Sequence, residues 1–205
     1  MRHGDESRMS KREENEADDL LDPPGSEMFN HLANKVEEME MIREVRAPPH
    51  ESLFTGDVFK DPKFPHNDAS IFDTERAADP KLDNLEWKRA REILGDKFKI
   101  LPEKDEDINP TNIKQGCLGD CYLLSALSAL AEWPQRIRSL FVSKEPNEAG
   151  VYIVRLYLNG ALTEIAVDDY FPCKKGQFAF CRNTDSNTIW PMLIEKAYAK
   201  VFGSY

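Results

Sequence analysis

Hydrophobic positions are unevenly spread along the chain, and their spacing predicts where order begins. Residues 1–25 are charged, nearly free of aromatics and end in "DPPG". Such a stretch buries too little apolar surface to offset ordering entropy, so it reads as a disordered acidic tail. From Ser26, a residue suited to an N-cap, Met28, Phe29, Leu32, Val36, Met39 and Ile42 fall on one helical face. That helix is expected either to dock on its own domain or to bind a partner. The prolines in "RAPPHE" break the pattern, so residues 26–50 form a helix and linker and the main domain starts at 51.

From 51 to 114 the chain is rich in Pro and Asp with short aromatic anchors ("LFTGDVFKDPKFP", "SIFD", "LEWKRAREI"). It predicts irregular chain wrapped on a core, with one short helix around Glu86 to Leu94. Leu123, Leu124, Leu127, Leu130 and Ala131 then keep helical spacing up to Trp133-Pro134. A short amphipathic turn follows with Ile137, Leu140 and Phe141. "GVYIVRLYLNGALTEIAVDDYFP" reads as two strands joined at Asn159-Gly160, a strong hairpin signal, and "FAFCR" as another brief strand. Trp190, Leu193, Ile194, Ala197, Tyr198, Val201 and Phe202 mark an amphipathic helix ending at Gly203. Helix, strands, then helix predicts an α+β fold.

Composition narrows the function classes. The 205 residues are 40% apolar and 31% charged, with a net charge of −10. Phosphates would repel such a chain, which argues against nucleic acid. No apolar run approaches the roughly eighteen residues of a membrane span. The N-terminus carries neither a secretory h-region nor Gly at position 2. Cysteines at 117, 121, 173 and 181, with no histidine after 66, lack zinc-ligand spacing. Free thiols in a cytosolic setting are expected.

The chemistry concentrates in "QGCLGDCYLLSAL", residues 115–127. Glycines at 116 and 119 suggest a sharp turn, and Asp120 is placed to cap the following helix, which puts Cys121 in its first turn. Free N–H groups and the positive end of the helix dipole there favour thiolate, although the adjacent Asp120 opposes it. The backbone N–H of Cys121 and the side-chain amide of Gln115 are candidate donors to a developing oxyanion. A lone cysteine at a helix start is also compatible with simple packing.

This segment resembles the nucleophile segment of calpains, Gln-Gly-x-Leu-Gly-Asp-Cys-aromatic-Leu-Leu. The likeness extends through "LFTGDVFKDPKFP", "LEWKRAREI", "VDDYFP" and "IWPMLIEKAYAKVFGSY", over residues 52–205. The resemblance implies a papain-like cysteine endopeptidase acting on cytoplasmic proteins, of which residues 51–205 are the first lobe. That lobe is expected to be helical, to bear the nucleophile and to hold a small antiparallel β element. Cys121 would be the nucleophile, Gln115 the oxyanion donor and Trp190 part of the lobe core; Tyr122 stands where tryptophan is usual. The family's calcium-binding acidic positions fall on Asn112 and Thr188, which weakens calcium binding, and the run Asp105, Glu106, Asp107 reads as a solvated acidic loop.

The family's His and Asn lie downstream on a second lobe, whereas His3, His31, His50 and His66 all lie upstream of Cys121. The sequence therefore reads as half an active site, expected to be inactive alone and completed by a second lobe in cis. Its partners would be protein substrates. Two rival functions remain at this stage: a non-catalytic interaction module, and another thiol acyl transfer such as transglutamination.

Overall fold

The computed structural model describes residues 57–72, 80–184 and 187–205, together with Asn34, Glu40, residues 46–48 and Leu53. The chain divides into two units, 1–40 and 41–205. In the first, Asn34 and Glu40 are helical and exposed. The acidic tail and nearly all of the amphipathic helix expected from Ser26 lie outside the described residues.

The second unit contains, in chain order, β1 (Glu86–Arg89), α1 (Ala90–Leu94), β2 (Ile113–Lys114), α2 (Cys121–Ala131), α3 (Pro134–Ser139), β3 (Val151–Leu158), β4 (Ala161–Asp168), β5 (Tyr170–Lys174), β6 (Gln177–Phe178), β7 (Arg182–Asn183) and α4 (Trp190–Phe202). The strands pair antiparallel as β1-β5-β6, β2-β7 and β3-β4. Helices and small antiparallel sheets together make the expected α+β fold. No described helix is long and apolar enough to cross a membrane.

The β3–β4 hairpin forms where the sequence places it. Asn159 and Gly160 both take positive φ, 49° and 78°, which matches a two-residue turn to the strand twist. Its base is covered on both faces: Tyr152, Val154, Ile165 and Val167 enter the main core, while Val151, Ile153 and Ala166 pack with Leu53. That core also receives Leu123, Leu124 and Leu127 of α2 and Trp190, Leu193, Ile194, Ala197 and Val201 of α4. Each large apolar side chain so buried contributes about 1.5–3 kcal/mol. Arg46 bridges to Ile165, and the Ala47 N–H donates to the Glu164 carbonyl at 2.7 Å, so residues 46 and 47 run along β4.

Two expectations need correction. The helix expected around Glu86 to Leu94 is a strand up to Arg89 and a helix only from Ala90. Pairing with β5, in the register Glu86↔Cys173 to Arg89↔Tyr170, overrides local helix propensity. Arg89 is further held by a bidentate bond to Asp169, at 2.7 and 3.2 Å. "FAFCR" is not one strand either. The Ala179 N–H still donates to Pro172 of β5, but beyond it the backbone bonds elsewhere: the Ala179 carbonyl accepts the Cys117 N–H, and the Cys181 N–H reaches Glu195.

α4 is buried on nearly every side, so its charges point inward. Lys196 Nζ donates to Asp168 Oδ1 and to the Tyr170 carbonyl, both at 2.5 Å. Asp168 Oδ2 bonds His66 Nε2 at 2.8 Å and accepts the Asp61 N–H at 2.9 Å. Lys200 Nζ donates to Asp61 Oδ2 at 2.6 Å and to the Ala166 carbonyl at 2.7 Å. This network ties segment 57–72 to α4 and to the end of β4.

Burial acts to raise the Asp168 pKa, but the Lys196 charge and the bonds from His66, Lys196 and Asp61 outweigh it and hold the carboxyl well below its ordinary value. A depressed folded value stabilises the fold above the unfolded carboxyl range, and that gain disappears as pH falls below it. Asp168→Ala is expected to cost about 3–5 kcal/mol at neutral pH, because it strands Lys196 without its partner. Urea denaturation should show the gap to wild type shrinking below about pH 4; a gap unchanged at pH 3 would contradict this assignment.

Candidate active site

The turn that carries Gln115 to Asp120 is anchored at both ends. β2 enters it, paired with β7 through Ile113↔Asn183 and Lys114↔Arg182, and α2 leaves it at Cys121. Between them Gly116 lies against the Ala179–Phe180 backbone. A Cβ on Gly116 would sit 2.0 Å from the Ala179 carbonyl oxygen and 2.4 Å from that of Phe180. The adjacent Cys117 donates its N–H to Ala179 O at 2.9 Å and its thiol to the same oxygen at 3.1 Å. Gly116 is thus required for close approach. The chain bends at residues 117–119, but neither Gly116 nor Gly119 takes positive φ, so the bend does not use left-handed backbone.

Gln115 and Cys121 stand at the two ends of this turn. Gln115 Nε2 donates to the Leu118 carbonyl at 2.7 Å, which orients the amide across the loop; a primary amide carries a second N–H. Leu118 packs with Phe180, Ala199 and Tyr205, holding the middle of the turn down. Cys121 is exposed, whereas Cys117 is half-buried and Cys173 and Cys181 are buried. Burial pushes the Cys173 thiol up to about 11. It pushes Cys181 further in the same direction, and the acids Glu195 and Asp120 nearby add to the effect. Tyr122 is also exposed, with its ring 6.0 Å from Tyr198, which in turn lies 4.6 Å from Phe202.

Asp120 occupies the N-cap position, but its side chain makes no capping bond. Its main-chain carbonyl accepts from Leu123 N at 2.9 Å and Leu124 N at 3.2 Å, starting the helix. The backbone at φ −102°, ψ 28° is not the extended conformation of a side-chain cap. The carboxyl turns inward instead, against Glu195 of α4. The sequence reading passed over Glu195, because a charge on an amphipathic helix reads as solvated. The available signal was apolar Met192 and Ala199 on the supposedly polar side of α4, which mark a helix covered all round.

Other expected residues fall elsewhere. Trp190 is fully buried in the main core. His66, the one histidine among the described residues, bonds Asp168 and stacks on Tyr170 at 4.0 Å, with Trp87 6.0 Å away. His3, His31 and His50 lie outside the described residues. Asn112 and Thr188 are both buried. Asn112 Oδ1 accepts from Thr111 Oγ1 at 3.3 Å, and Thr188 Oγ1 accepts from Asn183 Nδ2 at 2.9 Å. In the run Asp105 to Asp107, Asp105 is held by Arg138 Nε at 2.6 Å and Gln135 Nε2 at 2.5 Å. Those bonds and the Arg138 charge keep its carboxyl below the ordinary value. Among the described residues no group of three or more His, Cys, Asp or Glu is arranged to hold a metal ion.

Cys121 is thus an exposed thiol on the first turn of a helix, approached through a glycine-dependent loop with a side-chain amide at its far end. Residues 59–205 match the calpain family of cysteine proteases, and the chain belongs to that family. It is 38% identical over 153 residues to the calpain-type cysteine protease DEK1 of Arabidopsis thaliana, covering 72% of this chain and 7% of that protein. Over 160 residues it is 36% identical to the calpain-2 catalytic subunit of Rattus norvegicus and 35% identical to that of Homo sapiens; each match covers 76% of this chain and 22% of the relative. The chain therefore spans less than a quarter of the length of these relatives.

Gly116→Ala is expected to cost about 1–3 kcal/mol, since two backbone carbonyls rather than a flexible side chain must move. Gly119→Ala, with nothing within 4 Å of its Cβ, should stay within about 0.5 kcal/mol of wild type. Equal losses for the two in chemical denaturation would contradict the close-approach role.

Proposed function

We propose that this chain supplies the nucleophile lobe of a calpain-type cysteine endopeptidase, with Cys121 as nucleophile. The observation that carries this reading is the exposed Cys121 thiol at the start of α2, at one end of the turn whose other end is Gln115. The first N–H groups of a helix have no intrahelical acceptor, so the Cys121 amide is available where charge develops on an attacked carbonyl. Gln115 contributes its unspent amide hydrogen to the same oxyanion. Attack by the Cys121 sulfur on a peptide carbonyl gives a tetrahedral intermediate, loss of the amine leaves a thioester, and water hydrolyses it.

The base that takes the thiol proton and later protonates the leaving amine belongs to a second lobe in cis. His66 is not that base, since Asp168 and Tyr170 hold it. Substrates are proteins. The free thiols at 117, 121, 173 and 181 suit a reducing, cytoplasmic setting.

Calcium is not held at the family positions. Asn112 and Thr188 offer neutral oxygens already engaged in hydrogen bonds. A hard cation that takes roughly six to eight oxygens, with carboxylates among them, is not matched by that set. Asp105, the best-placed acid of the neighbouring run, is committed to Arg138 and Gln135. Millimolar calcium is accordingly expected to leave the thermal midpoint of this chain unchanged; a rise of several degrees would refute the reading.

In a protein carrying both lobes, Cys121→Ala should abolish peptide hydrolysis, a loss of several orders of magnitude. Cys117→Ala should leave most of it, because that thiol is half-buried and turned to the Ala179 carbonyl, whereas the Cys121 thiol is exposed. If Cys117 alone proved essential, the nucleophile would have been misassigned.

A further inference from the structure

Behind the first turn of α2 lies a buried pair of acids that the peptidase reading leaves unused. Asp120 is 5% exposed and Glu195 is 3% exposed. Their carboxyl groups face each other beside a cavity of about 100 Å³ lined by Asp120, Glu195, Tyr198, Ala199, Phe202 and Tyr205. Glu195 accepts the Cys181 N–H, at 3.0 Å from Oε1 and 3.3 Å from Oε2. Neither Asp120 oxygen has a donor among the described residues unless Glu195 supplies one. Two carboxylates in contact and away from water repel, and an orphaned buried acceptor is costly.

One proton removes both penalties. We propose that Glu195, as a neutral acid, donates a shared proton to the Asp120 carboxylate, and that this bond makes Glu195 a positioning residue for the turn that presents Cys121. Burial, and then Asp120 opposite it, push the Glu195 acid well above the ordinary carboxyl range; the Cys181 N–H pulls the other way. Other titratable groups around the pair are the Cys181 thiol and the Tyr205 hydroxyl, both pushed up chiefly by burial, with Arg182 acting on Cys181 and with Tyr122 and Tyr198 also lining the cavity. Lys196 and Asp168 pair with each other.

The geometry explains why Asp120 does not cap α2. Held inward, its carboxylate is turned away from the sulfur next door, where a like charge would oppose thiolate formation. The positioning role rests on the nucleophile reading; the existence of the shared proton does not.

The test is unfolding of the 205-residue chain between pH 5 and 8. A carboxyl whose folded-state pKa is raised binds more protons folded than unfolded, so stability is lost as pH rises through that window. Glu195→Gln keeps an oxygen for the Cys181 N–H and an N–H for Asp120, but carries no titrating proton. Its folding constant should gain on wild type by up to about tenfold per pH unit, leaving it the more stable protein at pH 8. Hydrogen exchange at Leu123 and Leu124, whose N–H groups donate to the Asp120 carbonyl, should keep wild-type protection in Glu195→Gln and lose it in Glu195→Leu, which offers Asp120 no donor. A Glu195→Gln curve that runs parallel to wild type, or lies below it at pH 8, would overturn the proposal. The unfolding readout needs no peptidase activity, so its failure is distinct from failure of the Cys121 assignment.

Discussion

The ion pair between Lys196 and Asp168 forms in the middle of the protein, with both side chains fully shielded from solvent. It is the consequence of burying α4 on nearly every side. A helix so enclosed has no wet face for its charged residues, so each must find a partner within the fold. Lys196 and Lys200 find theirs in Asp168 and Asp61, and thereby draw the irregular segment 57–72 against the helix. Glu195 points toward Asp120, in the turn before Cys121, instead. Pairs of this kind gain little net stability over apolar packing, but removing one partner is costly.

The same helix reaches the reactive turn through a narrow strip of backbone. Past the Ala179 N–H, which still donates to Pro172 of β5, the strip turns away so that the Ala179 carbonyl can accept Cys117 and the Cys181 N–H can bond Glu195. Gly116 is pressed on this strip from the other side. Cys121 is exposed, yet the loop before it is held by buried groups from β2, the 179–181 strip and α4. A rigid approach to this exposed thiol limits how far the sulfur strays from the attacking geometry that its proposed role requires. Other charged features, such as Arg138 with Asp105, lie on exposed surface and contribute far less.

Much of this was legible in the sequence, and the misses share a cause. The hairpin was readable because Asn159-Gly160 is a local signal, and α2 and α4 because their apolar spacing is long and regular. The segment from Glu86 to Arg89 was misread because its strand character comes from β5, about eighty residues away. "FAFCR" was misread because the bonds that interrupt it are made by Cys117 and Glu195. At the site, Cys121 and Gln115 stood out by residue type and spacing. The inward turn of Asp120 did not, since it depends on an acid seventy-five positions later on a helix face that looks polar in sequence alone. Local chemistry was visible, while contacts between distant segments were not.

The central claim is that Cys121 is the residue that attacks. The most direct test is to treat a protein carrying this lobe together with a second, base-bearing lobe with a peptidyl epoxide, an electrophile that traps a nucleophile at the substrate carbonyl position, and to map the adduct by peptide mass spectrometry. The account predicts one adduct, on Cys121, formed in step with loss of peptidase activity. An adduct on Cys117, or inactivation with Cys121 unmodified, would contradict it.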